Sequence, residues 1–213
     1  MRCMGDAVKR SYRSPARAAA AAETRAAIRA AGAELFLEEG FSRTTMKAVA
    51  ARAGVGERTL YDAFATKNRL FEHIVSVAIA GDEEPIAVAD RPEFLAALAQ
   101  QDGRRAVSQY ATYSAAILER AAPLITVAIE SAGADPALRK FSDAGAAATR
   151  ANTLAFVEAL ARHRHVDGKP AERAMAAYAL LVPLVHQHLR RDVGWSARRY
   201  RAWLEESLVR VLL

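Results

Sequence analysis

Gly54-Val55-Gly56 interrupts two short apolar stripes and constrains the surrounding chain more than any other three residues. Before it, Met46, Val49, Ala50 and Ala53 recur at helical spacing, so one face of a short helix can be buried. Gly54 can close that helix, because glycine takes the left-handed conformation at no steric cost, and Val55 supplies an apolar plug between the helices. From Glu57 a second helix turns Leu60 and Phe64 inward and spreads Glu57, Arg58, Thr59, Tyr61, Asp62 and Ala63 over its other faces. Two helices so joined form a helix-turn-helix, whose second helix can lie in a DNA major groove with its first turn nearest the base edges. Glycine-linked helices also occur in all-helical proteins that bind no DNA, so spacing by itself leaves both readings open.

The residue identities narrow the choice. The run Ala31, Leu35-Phe36, Gly40-Phe41, Thr44-Thr45, Val49-Ala50, Ala53-Gly54-Val55, Thr59-Leu60-Tyr61, Phe64, Lys67 and Leu70 closely resembles the N-terminal domain of the TetR family of bacterial transcriptional repressors. The resemblance covers roughly residues 25 to 75, and its most specific part is the Gly-Val-x-x-x-Thr-Leu-Tyr-x-x-Phe-x-x-Lys string from Gly54 to Lys67. Elsewhere only helical character and length agree. It implies an all-α fold, with a three-helix helix-turn-helix head and a larger C-terminal helical bundle, nine to ten helices in all.

Composition and charge are consistent with that fold. Alanine supplies much of the hydrophobic content, β-branched residues are sparse after Thr45, and no hairpin signal occurs. The net charge is +6, and its distribution is uneven: residues 1–80 carry 13 Arg and Lys against 8 Asp and Glu, whereas residues 81–213 carry 17 against 16. A positive excess on the head suits a polyanionic partner, since Lys and Arg that neutralise phosphates release counterions. Cys3 is the only cysteine, which excludes an intramolecular disulfide. The longest apolar run, Ala174 to Val185, contains Pro183 and falls short of the ~20 residues of a membrane span. The first residues lack the apolar core of a secretory signal. A cytoplasmic protein is expected.

Punctuation along the chain divides it into three parts. Residues 1–13 are polar and basic and read as a flexible arm, either a plain terminus or a segment reaching along DNA. Residues 14–80 form the DNA-binding domain: Ser14-Pro15 starts a helix bearing Ile28, Ala31, Leu35 and Phe36 until Gly40, and Thr66 caps a linking helix, 67–80, lined by Leu70, Phe71, Ile74, Val75 and Ala78. Gly81 to Pro85 then marks a boundary. Residues 81–213 form the body, in which Pro92, Pro123, Pro136 and Pro170 suit helix starts and Asp135 suits a cap. Helices are expected near 92–101, 104–121, 123–132, 136–163, 170–191 and 196–212.

The resemblance assigns roles in the head. Thr45 and Lys47 are placed for phosphate contact, and Thr59, Tyr61 and Lys67 match positions that hold the DNA backbone, contacts that fix register and not sequence. Arg58, on the first turn of the recognition helix, is the candidate for base readout, since a guanidinium can bond both acceptors of a guanine edge. Two positions depart from the family pattern. Gly56 stands where a capping serine is common, and Ala63 replaces a frequent histidine, leaving Glu57 and Asp62 as acidic neighbours. The target sequence is therefore not transferable from the family.

For the body the resemblance implies a small-molecule effector and a homodimer. Gln109, Tyr110, Tyr113, Ser114 and Ile117 mix apolar area with hydrogen-bonding groups on neighbouring turns, and Phe94, Phe141, Met175, Tyr178 and His186 are candidates to close a ligand cavity around them. Each also suits ordinary core packing. The dimer is expected through the C-terminal helices, on the stripe Met175, Tyr178, Leu181, Val182, Val185 and Leu189 together with Tyr200, Trp203, Leu204, Leu208, Val211 and Leu212. A two-fold dimer would read a palindromic operator.

No other chemistry is apparent. His163 with His165 and His186 with His188 are two apart, which on a helix directs the rings to different faces, so no metal site is expected. There is no Glu-x-x-His pair, nucleophile elbow or phosphate loop, and neither a catalytic site nor a cofactor is expected. The expected function is a ligand-responsive DNA-binding transcriptional regulator, a repressor released from its operator by a small molecule. The competing accounts are a helical ligand carrier or enzyme without sequence-specific DNA binding, and an architectural DNA-binding protein without a ligand.

Overall fold

A computed structural model describes residues 15–213, and every regular element among them is helical. The basic arm 1–13 and the Ser14 cap lie outside the described residues. The head consists of α1 (Pro15–Arg43), α2 (Met46–Ala53), α3 (Glu57–Ala63) and α4 (Lys67–Ala80). The body follows as α5 (Pro92–Ala99), α6 (Gly103–Ser131), α7 (Pro136–Arg162), α8 (Pro170–Leu180), α9 (Pro183–Gln187) and α10 (Ala197–Leu212), with a π-helical turn at His188–Asp192.

Local signals set most of these ends. Thr45 caps α2 by accepting from the Ala48 N–H, Thr66 caps α4 through Arg69, and Ser196 caps α10 through Arg199. Asp135 accepts from the amides of Ala137 and Leu138 at the start of α7 and also receives the Asn68 side-chain amide, which ties α7 to α4. Gly54 ends α2 at φ 68°, its N–H directed to Ala50 and Ala51. Gly40 breaks α1 at φ 78°, and Thr44 spans the break, its buried hydroxyl directed at the carbonyls of Leu35 (3.1 Å) and Gly40 (2.8 Å).

Two prolines behave differently from the sequence expectation. The helices expected at 104–121 and 123–132 are one helix, α6, which runs through Pro123. A proline inside a helix costs ~3 kcal/mol or more. Here Ala121, Ala122 and Leu124 are all buried, so continuous packing on both sides offsets that cost. The helix expected at 170–191 is instead broken before Pro183, where Val182 is extended (φ −69°, ψ 136°), as a residue preceding proline prefers. Leu184 beyond it is 52% exposed, whereas Leu181 and His186 on either side of the break are buried.

Helix α6 is the spine. Its N-terminal half joins Phe94, Tyr110, Phe156, Leu160, Tyr200, Leu204 and Leu208 in the body core. Its C-terminal half contributes Leu124, Val127 and Ala128 to the head core of Ile28, Leu35, Phe36, Val49, Leu60, Leu70 and Phe71. Arg120 of α6 also donates to the carbonyls of Ala78 (3.0 Å) and Ile79 (3.2 Å), holding the end of α4. Beyond α4, Arg91 pairs with Asp82 through two short bonds, 2.6 and 2.8 Å, and pulls that carboxyl down to about 2.

A buried polar cluster fastens α9 and the π turn to the same spine. His186, 2% exposed, bonds Glu119 through Nε2 at 3.0 Å, while Gln187 donates to its Nδ1. Arg190 reaches both Glu119 oxygens and the Trp195 carbonyl. Burial outweighs the carboxylate and holds the imidazole below its ordinary value, so the ring is neutral and donates from Nε2. The unfolded chain therefore takes up the proton first as pH falls. The stability this ring contributes is complete above about 6.5 and is lost as pH falls through the lower folded value. Glu119 acts in the same direction: desolvation opposes its charge, but the bonds from Arg190 and His186 prevail and lower its pKa. The thermal midpoint is expected to drop between roughly pH 7 and pH 5, and His186→Gln to flatten that slope. An unchanged slope in calorimetric melts of the variant would count against the cluster as its source.

Candidate nucleic-acid interface and ligand cavity

The head presents the N-termini of α2 and α3 on an exposed face. Thr45, Lys47, Gly56, Glu57, Arg58 and Thr59 are all exposed, and Tyr61 is 49% exposed. Thr45 uses its oxygen as an acceptor in the cap, so its hydroxyl hydrogen stays available to a phosphate. The α3 helix hangs on Leu60, its single buried residue among the seven, with Phe64 buried just past its end. Gly56 precedes it without a side-chain cap bond, leaving the first-turn amides uncapped beside Arg58. Arg58, Glu57 and Asp62 have no hydrogen-bond or ion-pair partner among the described residues, which leaves all three free to meet an incoming surface.

Lys67 has a different task from the DNA-backbone contact expected of it. Its ammonium donates to the carbonyls of Phe41 (2.8 Å), Thr44 (3.0 Å) and Ser42 (3.4 Å) and lies 4.3 Å from the centre of the Phe41 ring. An ammonium has three hydrogens, and all three are committed. Partial burial, set against Asp135, lowers its pKa. Lys67 thus positions the turn that carries Thr45 and Lys47. Lys67→Met is expected to lower both head stability and affinity for every DNA sequence, by about 1 to 3 kcal/mol in stability from the orphaned carbonyls. Wild-type melting with lowered DNA affinity would instead indicate a direct phosphate contact.

Two supports had no local signal in the sequence. Arg25 of α1 donates to the Ala63 carbonyl (3.2 Å) and stacks on the Phe64 ring, holding the far end of α3. Arg52 pairs with Glu34 (3.2 Å) and Glu38 (3.1 Å), fastening α2 to α1. Both act between segments distant in sequence, where spacing carries no information.

Between α6 and α7 lies a largely apolar, partly open cavity of about 270 Å³, bordered by Ile79 at the end of α4 and by Leu181 and Pro183 at the α8–α9 break. Of the residues expected around a ligand, Phe94, Tyr110, Tyr113, Ser114 and Ile117 line it. The other five lie elsewhere. Gln109 faces an open cleft on an adjoining face of α6, Phe141 packs against the head core, and Met175 is 47% exposed. Tyr178 lies beneath the Arg150 guanidinium, and His186 is taken up by the Glu119 cluster. Helical phase explains Gln109: one residue before Tyr110, it points about 100° away. Thr149 and Asn152 of α7 line the cavity and were missed, because their helix is polar and alanine-rich on that stretch. Among the described residues no group of His, Cys, Asp or Glu side chains is arranged to hold a metal ion.

Residues 28–74 match the family model described as bacterial regulatory proteins, tetR family. The match takes in α2, α3 and most of α4, and so contains every expected DNA-contact residue. No curated protein matches the chain. Solved structures share the tetR-type fold over nearly the whole length. NalD from Pseudomonas aeruginosa, the secondary repressor of the MexAB-OprM multidrug efflux pump, is 22% identical with a TM-score of 0.67, covering 91% of this chain and 98% of NalD. A TetR-family member from Streptomyces coelicolor is 20% identical with a TM-score of 0.61, over 90% and 99% of the two chains. The flavonoid-responsive regulator FrrA is 23% identical with a TM-score of 0.59, over 89% and 95%. At these identities the likeness carries the tetR-type fold alone. No helix among the described residues is long and apolar enough to cross a membrane.

Proposed function

We propose that the protein is a cytoplasmic, sequence-specific DNA-binding transcriptional regulator, a repressor whose release from a palindromic operator is driven by a small molecule. The observation that carries this reading is the exposed first turn of α3, which offers Arg58 beside uncapped amides on a tetR-family head. The body supports the ligand-responsive part. Ile79, in the cavity wall, ends the helix that leaves the head, and Arg120 grips the neighbouring carbonyls, so a molecule filling the cavity bears directly on α4. Coupling of this kind is typically worth ~1 to 3 kcal/mol. FrrA, of similar fold, is a flavonoid-responsive regulator, and NalD is a repressor.

A homodimer through the C-terminal helices completes the reading. Met175 of α8, Leu184 of α9 and Val193 after the π turn are each about half exposed, apolar side chains that a partner chain could cover. Such a dimer sets two recognition helices on successive turns of a palindrome, a bound dimer would obstruct polymerase, and no catalytic step is assigned. An electrophoretic shift of DNA flanking the gene, run against scrambled competitor, tests it. A shifted band that survives the scrambled competitor is expected. A band lost to scrambled competitor as readily as to unlabelled flanking DNA would favour a helical ligand carrier, enzyme or architectural protein instead.

A further inference from the structure

The hydroxyl groups around the 270 Å³ cavity have their hydrogens committed, and this fixes what a bound molecule must offer. Thr153 donates to the Thr149 carbonyl at 2.8 Å. Its 3.0 Å contact with Tyr110 therefore runs the other way, with the tyrosine donating, since a threonine hydroxyl carries one hydrogen. Ser114 lowers the Tyr110 pKa against the push of burial, as a donor to that hydroxyl would. Thr149 donates to the Gly145 carbonyl (3.0 Å) and Tyr113 to the Val88 carbonyl (3.1 Å). What Ser114, Thr149 and Tyr113 have left for a ligand is oxygen lone pairs, and Asn152 is the only side-chain amide in the wall among the described residues.

Among the described residues the wall contains no Asp, Glu, Lys, Arg or His. An anion entering it would exchange its hydration for lone pairs and a single amide, and a cation would find no carboxylate, so either loses more than it gains. Burial pushes Tyr110 up to about 12, which keeps its hydroxyl protonated and the chain of bonds in its one direction. An apolar cavity of about 150 Å³ holds one benzene ring, so about 270 Å³ leaves room for two fused rings. We propose that this cavity takes a neutral two-ring aromatic molecule that donates a hydrogen bond, a phenol and not a carboxylic acid or an ammonium. The inference rests on reading the cavity as the effector site and adds the chemical class of the effector.

The test uses the full chain without DNA and three probes of one skeleton, β-naphthol, naphthalene and β-naphthoate, titrated at neutral pH by probe fluorescence. β-Naphthol is expected to bind about tenfold more tightly than naphthalene, the gain of one satisfied hydrogen bond. β-Naphthoate is expected to bind about a hundredfold or more weakly than β-naphthol, for want of donors. The triple variant Tyr113→Phe, Ser114→Ala, Thr149→Val, which removes all three hydroxyl acceptors, should bring β-naphthol to the level of naphthalene. Binding of β-naphthoate on a par with β-naphthol, no preference of β-naphthol over naphthalene, a preference that survives undiminished in the triple variant, or no binding of any probe would each overturn the proposal. Since DNA is absent, a failure of operator recognition leaves this result standing. β-Naphthol binding without any change in operator affinity would count against the effector reading alone.

Discussion

Arg58→Ala is expected to weaken binding to the cognate operator by about 1 to 3 kcal/mol, roughly ten- to a hundredfold, while changing affinity for random DNA little. Arg58 stands exposed on the first turn of α3, so the folded head gives up nothing when it is removed. A guanidinium bidentate to a guanine edge distinguishes that base pair from the other three, whereas phosphate contacts add equally to all sequences. The loss should therefore appear in the ratio of cognate to random affinity and not in the melting temperature. Anisotropy titrations of operator and scrambled duplexes with wild type and variant measure that ratio. Equal losses on both duplexes would make Arg58 a phosphate contact and move base readout elsewhere on α3.

Leu60→Ala is expected to destabilise the head by about 2 to 5 kcal/mol and to remove binding to cognate and random DNA together. A seven-residue helix has little stability of its own, and Leu60 is the single residue through which α3 is buried. Whole domains are stable by only about 5 to 15 kcal/mol, so a loss of this size leaves the recognition helix open for an appreciable fraction of the time. Amide exchange should accelerate over α3 before α6 or α10. Protection of α3 at the wild-type level in Leu60→Ala would mean that Phe64 and Arg25 hold the helix without it.

Features decided within a few residues were legible in the sequence. The Gly54 turn, the caps at Thr66 and Asp135, and the starts at Pro92, Pro136 and Pro170 all depend on backbone amides or φ angles close by, and each stands where the spacing placed it. Pro123 and Pro183 were not separable, because one interrupts nothing and the other breaks a helix according to what packs around them. Lys67 shows the same limit at the interface. Its carbonyl partners lie 23 to 26 residues earlier, beyond any periodic signal, so a lysine at a helix start looked like a cation left for DNA. The cavity divided along the same line. Tyr110, Tyr113, Ser114 and Ile117 share one face of α6 and were grouped as neighbours on successive turns, together with Gln109, whose phase turns it out of the cavity, while the contribution of α7 depended on tertiary placement.

The central claim is that this head recognises a DNA sequence, and the specificity ratio tests it most directly. Duplexes from the DNA flanking the gene and scrambled duplexes of equal composition would be titrated by anisotropy at two salt concentrations. The account predicts one flanking duplex bound at least about 10³-fold more tightly than its scrambled partner, with both affinities falling as salt rises. Indistinguishable affinities for all duplexes, with the same salt dependence, would contradict it and leave only a basic surface attracted to phosphate.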